Sequence, residues 1–143
     1  MTIRMLDHFN IHTHDLDGSV RFFSDLLGLT VGPRPAFSFP GAWLYSNGCA
    51  VVHLIELVGE KAKARAANPP KNTGAIDHVA FAATDFDEHI RRLKQHGIDH
   101  EVRDVPGGRL RQIFFREPNG ATIELVFGIP QGQNVTADLY APA

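Results

Sequence analysis

Four ionisable side chains stand out because each lies in an otherwise apolar segment. They are His8, His53, His78 and Glu124. An isolated buried charge is costly, so a carboxylate in an apolar strand needs a partner. Imidazole nitrogens and a carboxylate oxygen together form a plausible donor set for a divalent metal ion. Taken singly, each of these histidines could equally be a hydrogen-bonded core or surface residue, and Glu124 could simply face outward.

An internal repeat relates these residues to one another. His8 and His78 lie 70 residues apart, close to half of the 143-residue chain. The same offset relates Asp15–Asp17 to Asp85–Asp87. A fixed period of this kind indicates two copies of one structural unit. Structural histidines have no reason to occupy repeat-related positions, so the symmetry favours one shared metal site.

The repeat extends to the ends of both halves. The segment 47–54 (NGCAVVHL) aligns with the segment 119–125 (NGATIEL) when one gap is allowed. This alignment places His53 and Glu124 at equivalent positions. Asn-Gly pairs are strong hairpin signals, so both residues should lie on the last strand of a hairpin.

Both halves predict the order strand, helix, strand, strand, strand. Asp15 or Asp17 can cap the first helix, and Gly28 and Gly97 can end the two helices. The predicted strands are Ile3–Thr13, Leu29–Val31, Ala42–Ser46, Ala50–Leu57, Ile76–Ala83 (read as buried), Ile98–Arg103, Leu110–Arg116 and Ala121–Phe127, with helices over Leu16–Leu27 and from Phe86 to Gly97.

The predicted fold is α+β, with two tandem βαβββ modules. Residues 1–58 form the first module, 59–74 a linker that could hold a short helical turn, 75–127 the second module, and 128–143 a C-terminal tail. Neither half could bury its helix and sheet alone, so we expect a curved, mixed and mostly antiparallel sheet, a cup, with helices on its outer face.

Composition excludes several classes of partner. The formal net charge is −2 and no dense basic stripe occurs, which argues against nucleic acid and anionic membranes. No apolar run approaches the roughly 18 residues of a membrane span, and the N-terminus lacks the apolar core of a signal peptide. The single Cys49 cannot form an internal disulfide. We therefore expect a cytoplasmic protein with a small-molecule substrate.

Four segments carry a resemblance to a known family across about residues 3–127. They are Leu6–His8, Asp17–Gly28, Ile76–Phe81 and Glu117–Leu125. The sequence resembles the vicinal oxygen chelate superfamily, also described as the glyoxalase, bleomycin resistance protein and extradiol dioxygenase family. That superfamily also includes methylmalonyl-CoA epimerase and fosfomycin resistance proteins.

The resemblance implies roles for the four residues. His8, His78 and Glu124 match metal-ligand positions, and His53 would be a fourth ligand or a catalytic base. One divalent ion, of Zn, Ni, Mn, Fe or Co, would stabilise an enediolate-like anion while a base moves a proton. The first expectation is therefore a lyase or isomerase of the glyoxalase type acting on a small oxygenated substrate.

Two alternatives remain open. An Fe(II) extradiol dioxygenase would suit two histidines and a carboxylate, but Phe114 and Phe115 occupy the region where such enzymes carry a tyrosine. A metal-free drug-binding module of the bleomycin-resistance kind would not need all four polar positions. Glutathione specificity is not supported, because the segment Leu54–Leu57 after His53 lacks the asparagine that glyoxalase I commonly shows there.

The sequence also offers further candidates for the substrate pocket and a prediction for the assembly. The substrate candidates are His12, Trp43, Tyr45, Arg109 and Arg111. Superfamily members of this length usually pair, and apolar sheet edges need covering, so we expect a homodimer.

Overall fold

The computed structural model describes residues 2–107 and 109–128, and it has an α+β fold. The predicted tail beyond residue 128 lies outside the described residues. In chain order the elements are β1 (Phe9–Thr13), α1 (Leu16–Arg21) continuing into a π-helical turn (Phe22–Leu26), β2 (Thr30–Gly32), β3 (Gly41–Ser46), β4 (Cys49–Glu56), α2 (Glu60–Ala67), β5 (Val79–Ala82), α3 (Phe86–Gln95), β6 (His100–Asp104), β7 (Arg111–Arg116) and β8 (Thr122–Phe127).

The chain divides into two compact units. Among the described residues, the first comprises residues 2–75 with 117–121, and the second comprises residues 76–107, 109–116 and 122–128. The first unit holds a sheet of order β1-β4-β3-β2, and the second holds one of order β5-β8-β7-β6. In both sheets the first strand runs parallel to the last, and the other neighbours are antiparallel. The predicted fold class, with two tandem βαβββ modules, is confirmed.

The strand registers confirm that His53 and Glu124 are equivalent. Phe9 pairs with Val52 in the first sheet, and Val79 pairs with Ile123 in the second. His53 and Glu124 each follow the residue paired in this way. His53 therefore lies on β4 and Glu124 on β8, the last strand of each module. Each of these strands pairs with the first strand of its own module.

Alternation along the strands separates a core face from the face that carries the candidate residues. In the first unit, Leu44, Val52 and Leu54 are almost fully buried, as are Phe23 and Leu26 of the π-helical turn. Because successive strand residues point to opposite faces, His53 lies on the face opposite Val52 and Leu54. In the second unit the corresponding core consists of Leu93, Ile113, Ile123 and Leu125.

The first strand of each module is shorter than predicted. β1 begins at Phe9 and β5 at Val79, so His8 and His78 each precede their strand by one residue. The described residues before β1, 2–8, gain no strand partner, and Ile3 is 93% exposed. The prediction that β5 is buried is wrong. Within the described residues it is an edge strand that pairs with β8 alone, and its alanines are exposed.

The first helix also departs from the simple prediction. Asp15 caps it as expected, since its Oδ1 accepts a hydrogen bond of 2.9 Å from the Gly18 N–H. The regular α-helix ends at Arg21, and the chain continues as a π-helical turn to Leu26. Gly28 then adopts φ +75°, the left-handed conformation that ends helices.

The segment expected to be a linker forms a full helix, α2, over Glu60–Ala67. Its run of alanine, lysine and glutamate residues favours a helix longer than the single turn expected. Among the residues that the structure describes, no helix is long and apolar enough to cross a membrane.

Candidate metal centre

The second unit brings two of the predicted ligands into contact. His78 Nε2 lies 2.7 Å from Glu124 Oε2. Glu124 is only 4% exposed, so its carboxylate requires polar partners. The last residue before β5 and the centre of β8 therefore supply one imidazole nitrogen and one carboxylate oxygen at the same point.

The second oxygen of that carboxylate is held separately. Gln112 Nε2 on β7 donates a hydrogen bond of 2.5 Å to Glu124 Oε1. The His78 ring meets the Phe114 ring edge-to-face, with centroids 5.6 Å apart. Gln112 and Phe114 alternate along β7 with core residues, so both lie on the Glu124 face. The carboxylate is thus oriented by a fixed amide on one side.

The first unit stacks its predicted residues instead of pairing their charges. The His8 and His53 rings are parallel within 17°, with centroids 3.7 Å apart. Trp43 stacks on the other face of His53 at 4.0 Å and 9°. His53 is therefore enclosed between two flat rings, and only 8% of it is exposed.

The surroundings of His53 favour its neutral form. Burial is the main cause that lowers its pKa, and the neighbouring His8 lowers it further. Its Nε2 lies 3.1 Å from the Ala50 carbonyl oxygen. That contact fits an imidazole whose Nε2 carries the proton and donates it to the carbonyl, which leaves Nδ1 with a free lone pair.

His8 and His78, the histidines that precede β1 and β5, each have an aspartate carboxylate beside Nδ1. Asp7 Oδ2 lies 2.6 Å from His8 Nδ1, and Asp77 Oδ1 lies 2.8 Å from His78 Nδ1. Metal-bound histidines commonly donate their second ring N–H to a carboxylate, which fixes the tautomer and turns the other nitrogen toward the metal. In both histidines Nε2 is therefore the nitrogen left to bind a metal, and in His78 that atom faces Glu124 Oε2.

A complete ligand set is not assembled in the described part of the chain. Within residues 2–107 and 109–128, no three His, Cys, Asp or Glu side chains form a group that could hold a metal ion. The structure shows the pair His78–Glu124 and the stack His8–His53, and the four-residue centre stays a prediction.

The substrate candidates of the first unit occupy different surroundings. Trp43 belongs to the histidine stack. The Tyr45 hydroxyl donates a 2.6 Å hydrogen bond to the Pro33 carbonyl, which ties β3 to the segment after β2. His12 lines a cavity of about 540 Å³ with Arg65, and Arg65 Nη1 donates to the His12 carbonyl at 3.1 Å.

The arginines of the second unit are sorted by strand alternation. Arg111 Nε donates to Asp104 at 3.1 Å, and its guanidinium lies 3.8 Å from the centroid of Phe86 on α3. It shares the face of Ile113 and Phe115, opposite Glu124. Arg109 is exposed and precedes β7. The structure therefore does not bring Arg111 to the Glu124 carboxylate.

Arg103 lies on the Glu124 face. It pairs with Gln112 in the strand register, and its guanidinium lies 4.6 Å from the centroid of Phe114. The sequence analysis gave Gln112 no role. Its position two residues before Phe114, on the same strand face, is the signal that could have identified it. Asp7 and Asp77 precede His8 and His78 at the same 70-residue offset, so the repeat is the signal that could have identified these two carboxylates.

Comparison with known proteins identifies the class. The profile of the Glyoxalase/Bleomycin resistance protein/Dioxygenase superfamily matches residues 5–125. The chain belongs to this superfamily, and the resemblance inferred from its motifs is confirmed.

Among individual relatives, the chain is 30% identical over 128 residues to the glutathione transferase FosA of Serratia marcescens, covering 88% of this chain and 82% of the relative. Two solved structures share the fold. A variant of FosX, the fosfomycin resistance protein of Listeria monocytogenes, complexed with Mn(II) and 1S,2S-dihydroxypropylphosphonic acid, has a TM-score of 0.69 at 18% identity, covering 90% and 95% of the two chains. A glyoxylase/bleomycin resistance protein/dioxygenase domain from a Frankia species has a TM-score of 0.68 at 18% identity, covering 90% and 100%.

Proposed function

We propose that the protein is a metal-dependent lyase or isomerase that acts on a small oxygenated substrate. His8, His78 and Glu124 would hold one divalent ion, and His53 would be a fourth ligand or the base. The observation that carries the proposal is the 2.7 Å approach of His78 Nε2 to Glu124 Oε2. These are the two atoms left for a metal, because Asp77 holds His78 Nδ1 and Gln112 holds Glu124 Oε1.

The donor chemistry fits a divalent transition metal. Imidazole nitrogens with one carboxylate suit Zn, Ni, Mn, Fe and Co. The atoms of the proposed ligands that would not bind metal each have a protein partner. Asp7 and Asp77 contact Nδ1 of the two histidines, and Gln112 donates to Oε1 of Glu124. Such outer partners orient ligands and raise their basicity. When bound, the ion would supply the electrophile that polarises substrate oxygens and stabilises the anion formed by proton loss.

The chain's own residues would then bind the substrate and move the proton. His53 Nδ1 has a free lone pair if Nε2 donates to Ala50, so it can accept a proton from a carbon beside a carbonyl. Its enclosure between His8 and Trp43 keeps the ring orientation fixed and keeps water away from both faces. The proton taken up by Nδ1 can return to the neighbouring carbon, which gives an isomerisation without any added reactant.

A second candidate is transfer of a thiol such as glutathione to a small anionic electrophile. The Serratia relative is named for glutathione transfer and is 30% identical. Arg103 lies on the Glu124 face, and its guanidinium, which bonds the Glu101 carboxylate, would exchange that partner for an anionic substrate. The segment after His53 lacks the asparagine that glyoxalase I commonly carries, which argues against glutathione and leaves this candidate second.

The decisive experiment combines elemental analysis with two assays. Protein purified without added metal should contain about one divalent ion per chain, and the chelator-stripped protein should regain the ion from Zn, Ni, Mn, Fe or Co salts. The reloaded protein is then assayed for isomerisation of hemithioacetals and for consumption of glutathione with fosfomycin. Activity in the first assay supports the primary proposal, and activity only in the second supports the alternative.

A matched pair of variants ties the metal to the site. Glu124→Gln should lose the ion, while Glu60→Gln, which removes an exposed carboxylate bonded to Lys63, should retain it. Full metal occupancy in Glu124→Gln would show that the ligand assignment is wrong.

The homodimer also stays a proposal, and a light-scattering mass of one chain across micromolar concentrations would contradict it.

A further inference from the structure

A cluster of rings extends outward from His53 in the first unit. Trp43 stacks on His53, Phe37 lies 6.4 Å from Trp43 and Phe39 stacks on Phe37 at 5.1 Å. We call Phe37, Phe39 and Trp43 the aromatic wall. Its rings form an unbroken series of contacts that begins at the candidate metal ligands.

Arg34 holds the wall in place. Its guanidinium lies 4.9 Å from the Phe37 centroid and 5.0 Å from the Phe39 centroid. Its Nη2 also donates a 3.0 Å hydrogen bond to the Phe39 carbonyl. The loop between β2 and β3 is therefore organised before any ligand arrives.

The outer rings of the wall are exposed in a way that core packing does not explain. Phe37 is 46% and Phe39 39% exposed. Both belong to the segment between β2 and β3, and Phe37 connects them to the histidine stack through Trp43. Exposed aromatic surface beside convergent polar groups is typical of a ligand site. A partner protein would need only the exposed rings of Phe37 and Phe39. The contacts that connect these rings to His53 favour a ligand of the candidate site instead.

We propose that the aromatic wall binds the flat, unsaturated part of the substrate, so that the substrate is an aryl-substituted compound with two adjacent oxygens. The inference rests on the proposed function, because it assumes that the oxygens are chelated beside His8 and His53. An aryl group attached to the chelating atoms would then continue the stack formed by Trp43 and the two phenylalanines. A methyl group in its place would leave Phe37 and Phe39 uncovered.

The test uses three chelators with the same pair of oxygens. Benzohydroxamate carries a flat ring, cyclohexanecarbohydroxamate a saturated ring, and acetohydroxamate only a methyl group. Their affinities for the metal-loaded protein are measured by isothermal titration calorimetry. Stacking adds to apolar burial, so benzohydroxamate should bind roughly 10-fold more tightly than acetohydroxamate, with the saturated ring between them.

Variants then locate the preference. Trp43 is the only tryptophan in the chain, so its fluorescence reports directly on the wall. Benzohydroxamate should change that fluorescence. The double variant Phe37→Leu/Phe39→Leu keeps apolar side chains but removes both rings, and it should bind benzohydroxamate and acetohydroxamate within about 2-fold of each other. Val31→Ala, which shortens an exposed apolar side chain on β2, should retain the full preference.

The outcomes separate this inference from the function on which it rests. Equal binding of benzohydroxamate and acetohydroxamate to the wild-type protein would overturn the aromatic wall and leave the metal site standing. A preference that survives in the double variant would also overturn it. If neither chelator binds metal-loaded protein, the proposed function fails and the inference fails with it. A change of oligomeric mass in the double variant, with the preference intact, would assign the wall to an interface between copies.

Discussion

His53 and Glu124 occupy the same position in two copies of one module, yet they are held in opposite ways. His53 is clamped between the flat rings of His8 and Trp43, and its polar contact is with a carbonyl of its own strand. Glu124 is held by polar side chains, Gln112 on one oxygen and His78 on the other. The repeat therefore preserved a position while the two surroundings diverged into one site for a neutral ring and one for an anion.

The largest expected effect comes from removing the anionic side of this comparison. Glu124→Ala deletes a proposed ligand and leaves His78 Nε2 without its partner. Loss of a direct ligand should exceed the 10–100-fold loss in metal affinity typical of outer-partner mutations. We expect little or no metal by elemental analysis after dialysis, together with loss of turnover. His8→Ala should have the same result. If either variant retained one ion per chain, the substituted residue would not be a metal ligand.

A second effect separates the two possible roles of His53. If His53 is the base, His53→Ala should leave metal affinity nearly intact and lower turnover by roughly 10²–10⁴-fold. If it is a fourth ligand, metal affinity should fall as well. Calorimetric titration of the stripped protein with metal, followed by turnover at saturating metal, distinguishes the two. The base role would be wrong if turnover at saturating metal stayed at the wild-type rate.

Intermediate effects should come from the outer carboxylates. Asp77→Asn and Asp7→Asn weaken the hold on His78 Nδ1 and His8 Nδ1, and each should reduce metal affinity by about 10–100-fold. Asp104→Asn, which removes an exposed carboxylate bonded to Arg111, is the control and should have no effect. Unequal effects for Asp7 and Asp77 would show that the two copies no longer contribute equivalently.

The repeat made much of this arrangement predictable from sequence. The 70-residue offset between His8 and His78, with the Asn-Gly hairpins, identified both modules and the equivalence of His53 and Glu124. Periodicity could not locate the starts of β1 and β5, because apolar residues continue upstream of the point where strand pairing begins. Exposed Ile3 and Ile76 show that an apolar run does not by itself make a buried strand.

The ring stack and the role of Gln112 were beyond sequence reasoning for a different reason. They depend on which side chains face each other across strands, and that depends on register. Trp43 meets His53 because those two residues are register partners in an antiparallel pair. Gln112 reaches Glu124 diagonally, since its own register partner is Val126. Neither relation follows from spacing along the chain.

The smallest effect concerns a second pair of repeat-related residues, Ser19 and His89, which lie at the offset of 70. Ser19 is fixed by polar bonds, because its hydroxyl lies 2.8 Å from that of Thr13 and accepts from Asn119 Nδ2 at 3.0 Å. His89 instead packs its ring against Phe127, with centroids 5.6 Å apart. The same helical position is thus neutral at all pH values in one module and titratable in the other.

Burial lowers the pKa of His89 below its ordinary value of 6.5, and Arg92 adds to the effect against the opposing influence of Asp85 and Glu88. The unfolded chain therefore binds a proton on His89 at a higher pH than the folded chain does. The contribution of His89 to the free energy of unfolding therefore falls as the pH drops below about 6.5 and levels off once the folded-state pKa is passed. His89→Asn should lose less stability than the wild-type protein between pH 7.5 and pH 5, as measured by urea denaturation at both values. His96→Asn, an exposed histidine just after the same helix, controls for removal of one imidazole. If the two variants lose stability by the same amount, the proposed contrast between Ser19 and His89 has no energetic consequence.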